Sequence, residues 1–192
     1  MDTIRVRTGQ HISMLHAIEN SGRCLADPKY VCSELSASED TPYRRLVMRS
    51  YDRLAEELAR RLEKPGDASY PIWVSPGDGS GFPPPADGVT MYFDIPKDRI
   101  AFISMEKWSA VLDYRYIPKD GQDAKKHREM LKMYGISDAK AMMTGFYPEI
   151  KREILSSWHR VFDTDGLSEE LCFGLVWELR KEWLVKAVFP QA

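Results

Sequence analysis

Apolar and polar positions along this chain change period several times, and each change marks an element. Residues 3–8 alternate weakly and predict a short strand that ends at Gly9 and Gln10. Ile12, Leu15 and Ile18 then recur at helical spacing, and Gly22 stands where a left-handed C-terminal cap is expected. Residues 23–40 read as loop. The strongest helical signal covers 42–63: Thr41 can cap it, Pro42 suits its first position, and Val47, Tyr51, Leu54, Leu58 and Leu62 form one stripe. Pro65 and Gly66 end it.

Residues 70–75 predict a strand, placed at a sheet edge because Pro71 lies near its start. The Pro- and Gly-rich stretch 76–88 predicts an ordered loop, 89–95 alternate as a strand, and 99–103 resume one after Pro96. A short helix over 106–113 would turn Trp108, Val111 and Leu112 inward. Helical pieces at about 122–134 and 149–162 lie in a longer helical segment, at about 119–162. Two strands close the chain, 171–179 and 184–189, on either side of the charged turn Arg180-Lys181-Glu182. The run Cys172-Phe173-Gly174-Leu175-Val176-Trp177 is apolar on both faces, which predicts a central strand. Strands at both ends and in the middle, with helices between, predict an α+β fold. The expected form is one domain over 1–192, with a mixed, mostly antiparallel sheet.

Composition narrows this picture slightly. The 192 residues are 43% hydrophobic and 29% charged, ordinary globular values, and the net charge of −2 provides no global field toward nucleic acid or anionic lipid. The first residues lack the apolar core of a signal peptide, and no apolar run approaches the ~20 residues that span a bilayer. Cys24, Cys32 and Cys172 are too scattered for a disulfide framework or a zinc site, so free thiols and a cytoplasmic setting are expected.

Candidate chemistry starts with Glu178, at the end of the apolar closing strand. A carboxylate there can be desolvated and serve as a general base or hold a substrate hydroxyl; alternatively it marks the strand's exit from the core and pairs with Arg180 or a loop lysine. Arg44, Arg45, Arg49 and Arg53 crowd the start of the long helix against its macrodipole, which points to an anionic partner or to a solvated face balanced by Glu39, Asp40 and Asp52. Tyr70, Trp73, Trp108 and Trp177, with Tyr92, Tyr114, Tyr116 and Trp158, can wall a pocket for a flat ligand or fill the core. His127 lies in Lys125-Lys126-His127-Arg128 and reads as a solvated helix start. No metal-ligand spacing, GxGxxG, Walker loop or HExxH is present, and the run Gly77-Asp78-Gly79-Ser80-Gly81 leads into prolines where a phosphate loop would lead into a helix.

The ordered set of Thr8 and Gln10 before Gly22, Ala26-Asp27-Pro28-Lys29-Tyr30, Tyr51, Tyr70-Pro71-Ile72-Trp73, Phe93-Asp94-Ile95-Pro96, Trp108 to Leu112, Ser157-Trp158, Val161-Phe162-Asp163 and Trp177-Glu178-Leu179 resembles the bacterial family known as domain of unknown function 3841 (DUF3841). The chain departs from that pattern at Ser104, Ser109 and Phe173, where the family tends to carry an acidic residue, a histidine and a polar residue, and segment 119–150 looks longer than usual. A shared active site built on those positions would be lost here. The resemblance implies a fold and a bacterial or mobile-element origin, and no activity. A weaker likeness to ADP-ribosyltransferase-like enzymes implies NAD as cofactor, with Gln10 and Tyr70 as binding residues and Glu178 as catalytic residue. The expected function is a non-enzymatic protein-binding or regulatory module that needs no cofactor, with the NAD-dependent transferase as the alternative.

Overall fold

The computed structural model describes residues 2–31, 42–77, 81 and 83–190. The chain forms two compact units, Met1–Phe102 with Gly166–Ala192, and Ile103–Asp165. The fold is α+β.

The first unit is built on β1 (Thr3–His11), α1 (Ile12–Ser21), β2 (Arg23–Leu25), α2 (Pro42–Ala59), β3 (Ile72–Pro76), β4 (Gly88–Pro96), the start of β5 (Ala101–Ser104), β6 (Cys172–Val176), β7 (Glu178–Arg180) and β8 (Leu184–Val188). A six-stranded sheet runs in the order β5-β6-β3-β1-β4-β8. Its β1–β3, β1–β4, β3–β6 and β4–β8 pairings are all antiparallel. β1 and β4 pair along their whole length, from Thr3 opposite Pro96 to His11 opposite Gly88. Alternation decides which face is buried: Val6 and Thr8 of β1 and Val89, Met91, Phe93 and Ile95 of β4 point inward. Between them, Arg5 and Asp94 pair at 2.6 Å on the outer face, where Lys186 also lies over the Tyr92 ring.

Leu15 and Ile18 of α1 are buried in the core with Val6, Ile72, Val74 and the inward residues of β4. Gly22 ends that helix at φ +80°, its N–H donating to the Ile18 carbonyl, a conformation glycine takes without a Cβ penalty. The stripe expected on α2 is largely buried at Val47, Leu54, Leu58 and Leu62, with Tyr51 half-exposed. The expected cap Thr41, along with Cys32, Glu39, Asp40 and residues 78–80 of the glycine run, lies outside the described residues.

Three expectations need correction. β3 is an interior strand between β6 and β1, not an edge; Pro71 precedes the strand, so its missing N–H costs no ladder bond. The closing strand 171–179 is two strands: after Trp177 the chain leaves the large sheet, and Glu178–Arg180 pairs with Arg23–Leu25 in a separate two-stranded sheet. An apolar run reports burial, and burial continues while the strand partner changes. Residues 23–25 are therefore strand and not loop. Within β6, a Cβ on Gly174 would fall 2.6 Å from Ile100 Cδ1 and 2.8 Å from Val74 Cγ2, so the side chains of Ile100 and Val74 occupy the space beside this glycine.

The second unit carries α3 (Met105–Leu112), α4 (Gly121–Tyr134), α5 (Asp138–Met143) and α6 (Pro148–Ser157), followed by a 3₁₀ turn at Trp158–Phe162. Side-chain caps start three of them: Ser104 accepts from the Lys107 N–H, Asp120 from Asp123 and Ser137 from Lys140. Trp108, Val111, Ile150, Ile154, Trp158 and Val161 are buried here. The helical segment thus contains one helix more than expected, α5. No described helix is long and apolar enough to cross a membrane.

Candidate functional site

The first unit contains a cavity of about 720 Å³ where β1 ends and β3 begins. The β1–β3 ladder covers only Val6–Pro76 and Arg7–Ser75. Past it, Thr8 bridges the two strands through its side chain, the hydroxyl donating to the Trp73 carbonyl at 2.9 Å. A hydroxyl has one proton, so the Gln10 group 2.8 Å from Thr8 Oγ1 must be its amide N–H₂. That fixes the amide's orientation, with Oε1 left as its acceptor and a second N–H as its remaining donor, and Gln10 lines the cavity.

The remaining walls follow from the elements around this opening. Ser13, Met14 and Ala17 come from one side of α1, Cys24 to Asp27 from β2 and its continuation, and Tyr51 from α2. Trp73 meets Tyr51 edge-on, centroids 6.5 Å apart, and meets Phe173 in the same manner at 6.3 Å. His11 caps α1 with Nδ1 accepting from the Ser13 N–H, which requires the lone pair there. Asp27 accepts from the Lys29 N–H at 2.9 Å. Cys24 is buried, and burial pushes its thiol pKa up, so it stays protonated and is a poor nucleophile. Among the described residues no group of three or more His, Cys, Asp or Glu side chains is arranged to hold a metal ion.

The residues singled out by sequence separate in space. Gln10 and Trp73 line the cavity. Tyr70 lies beside that wall in sequence and donates its hydroxyl to Asp52 at 2.6 Å. Glu178 lies outside the lining, 6% exposed, accepting from Arg23 at 3.1 Å and from Arg180 Nε at 2.7 Å. Arg23 in turn reaches Asp67 at 2.6 Å. Trp177 is buried next to Glu178 under Lys64, and its indole N–H has no hydrogen-bond partner among the described residues. The space that these two residues border is only about 10 Å³, barely one water. Trp108 belongs to the core of the second unit. Of the four arginines, Arg53 pairs with Glu56 and with the buried Glu57, which Arg60 and Arg61 also hold. Arg44 is half-buried, Arg45 and Arg49 are exposed, and none of the four lines the cavity.

His127 is the residue the sequence misplaced. It is buried in the second unit, stacked on Tyr116 at 4.0 Å, with Nε2 2.7 Å from Asp138 Oδ1 and Nδ1 3.7 Å from Glu153 Oε1. Tyr116 donates its hydroxyl to Asp123 at 2.9 Å, and Arg160 lies over the Tyr116 ring. Burial, the largest single influence, favours the neutral imidazole, yet the Asp138 hydrogen bond and the charges of Asp138 and Glu153 together raise its pKa. Ala124, His127 and Leu131, spaced i, i+3, i+7, mark the inward side of α4 and were the available signal. The charged neighbours at 125, 126 and 128 masked it.

Fold and cavity together define an α+β protein with a ligand-sized cleft at one end of an antiparallel sheet. Residues 5–185 match the family described as Domain of unknown function (DUF3841), and the chain belongs to that family. No curated protein and no solved structure matches it. The likeness to ADP-ribosyltransferase-like enzymes is not supported. Two of the departures from the family pattern keep a structural role: Ser104 caps α3, as an acidic residue can, and Phe173 packs against Trp73.

Proposed function

We propose that this chain is a binding module whose cavity receives a small organic molecule with a flat ring. The observation that carries this reading is a cavity of about 720 Å³ with Trp73 and Tyr51 in its wall and an amide, Gln10, held in one orientation by Thr8. Ligand sites generally fall in the range of roughly 300–1,000 Å³, mostly apolar with a few fixed polar groups. Calorimetric titration of the full chain with a panel of aromatic fragments tests it. Ala17→Phe, which fills the cavity from α1, is expected to weaken every hit at least tenfold while leaving the thermal midpoint nearly unchanged. Trp73→Leu is expected to weaken the same hits. Hits indifferent to both substitutions would overturn the reading.

A second reading, a protein-binding or regulatory module of bacteria or their mobile elements, is favoured by the exposed Arg45 and Arg49, one turn apart on α2. Such a pair suits an acidic partner surface. Affinity capture from bacterial lysate should then return a stoichiometric partner that Arg45→Glu with Arg49→Glu releases, and capture unchanged by the double reversal would count against it.

A further inference from the structure

Resting on the small-molecule reading, we infer that the cavity selects uncharged or cationic ring compounds bearing N–H donors, and rejects phosphates and carboxylates. Of the polar side chains that line the cavity, Gln10 and Asp27 offer acceptors, while the His11 ring, with its lone pair on Nδ1, offers a donor at Nε2. Gln10 has spent one of its two amide N–H groups on Thr8 and keeps Oε1 as an acceptor. Asp27 is the one formally charged residue among the described residues of the lining, and within those residues one of its oxygens is engaged, by the Lys29 N–H. Among the described residues that line the cavity there is no lysine or arginine. A phosphate or carboxylate entering here would meet a negative charge and an amide oxygen, with no cationic fork to replace its lost hydration.

The start of α1 is the one feature that could reverse this, since free N–H groups at a helix N-terminus attract anions. Here two of those groups are spent. The Ile12 N–H donates to the Asp87 carbonyl at 3.1 Å, and the Ser13 N–H to the His11 ring at 3.2 Å. A flat heterocycle carrying an amino or amidine group has the complementary pattern: a ring face for Trp73, and donors for Gln10 and Asp27.

Two pairs of probes that differ chiefly in charge decide the matter by calorimetry: benzamidine against benzoate, and adenosine against adenosine monophosphate, with NAD as a larger phosphate-bearing probe. Benzamidine and adenosine are expected to bind at least tenfold more tightly than their anionic counterparts and NAD. Asp27→Asn should weaken benzamidine roughly fivefold, the scale of a partly exposed ion pair, and leave adenosine unchanged. Asp27→Lys should bring benzoate level with benzamidine or ahead of it. Tighter binding of the anionic probes, or benzamidine indifferent to both Asp27 variants, would overturn the charge selection. If Ala17→Phe still abolished that binding, the cavity reading would survive. If none of the five probes binds, both fall together.

Discussion

The cavity of the first unit and the His127 cluster of the second both set polar side chains into apolar frames, but they use those side chains differently. In the cluster, acceptors and donors face one another: Asp138 takes His127 and the Tyr116 backbone N–H, Asp123 takes the Tyr116 hydroxyl and the Lys119 N–H, and Tyr116 stacks on His127. In the cavity, Thr8 fixes Gln10, and among the described residues neither Gln10 Oε1 nor the second Asp27 carboxylate oxygen is hydrogen-bonded. The cluster's hydrogen bonds run between its own members, with His127 Nδ1 alone left over beside Glu153, whereas the polar groups of the cavity border a space of ligand size.

The largest test of this contrast is Asp138→Ala. It removes the acceptor of both His127 and the Tyr116 N–H, and should cost about 3 kcal/mol, the scale of breaking a buried charged pair. A drop in the urea midpoint checks it, and a loss below about 1 kcal/mol would place the cluster with ordinary surface pairs. Next comes Glu178→Ala, which strands Arg23 and Arg180 and should cost about 2 kcal/mol, as lost hydrogen bonds to a charged group do. Hits found in the cavity should keep their affinity in that variant, since Glu178 lies outside the lining. A tenfold loss of affinity would bring Glu178 back into the site.

The smallest effect is in pH. The folded-state pKa of His127 lies above its ordinary 6.5, so this group stabilises the fold fully below that unfolded value. Its contribution is lost as pH rises through the raised folded value. Urea midpoints should therefore decline across that window. The decline should flatten in His127→Gln, and a slope identical in both proteins would refute the assignment.

Much of the fold was legible because long elements carry a period. β1, β4, α1, α2 and α3 lie where the alternation and stripes put them, within a few residues at their ends. β2 and β7 were not legible, because three residues complete no period and an apolar run cannot report a change of strand partner at Trp177. Of the site, Gln10 was named through the weaker, ADP-ribosyltransferase-like resemblance and Trp73 as an aromatic; Asp27 and Tyr51 stood in the family pattern without a role, and Cys24 joins them through topology. Glu178 drew attention for its burial, and its pairing with Arg180, two residues downstream, was the alternative the sequence offered; Arg23, 155 residues upstream, was not legible.

The place of β6 in the large sheet has a consequence for biosynthesis. The second unit, Ile103–Asp165, interrupts the first between β5 and β6. A nascent chain emerging from the ribosome exposes β1, β3 and β4 early, but β3 lacks its β6 neighbour, and β2 its β7 partner, until residues beyond 171 have been made. Sheet assembly in the first unit therefore awaits the last part of synthesis, while the intervening helical unit, whose contacts are internal to one continuous stretch, can form first. A stalled or truncated chain ending before Cys172 would present the unpaired edge of β3 to its neighbours, a template for aggregation that the completed chain covers.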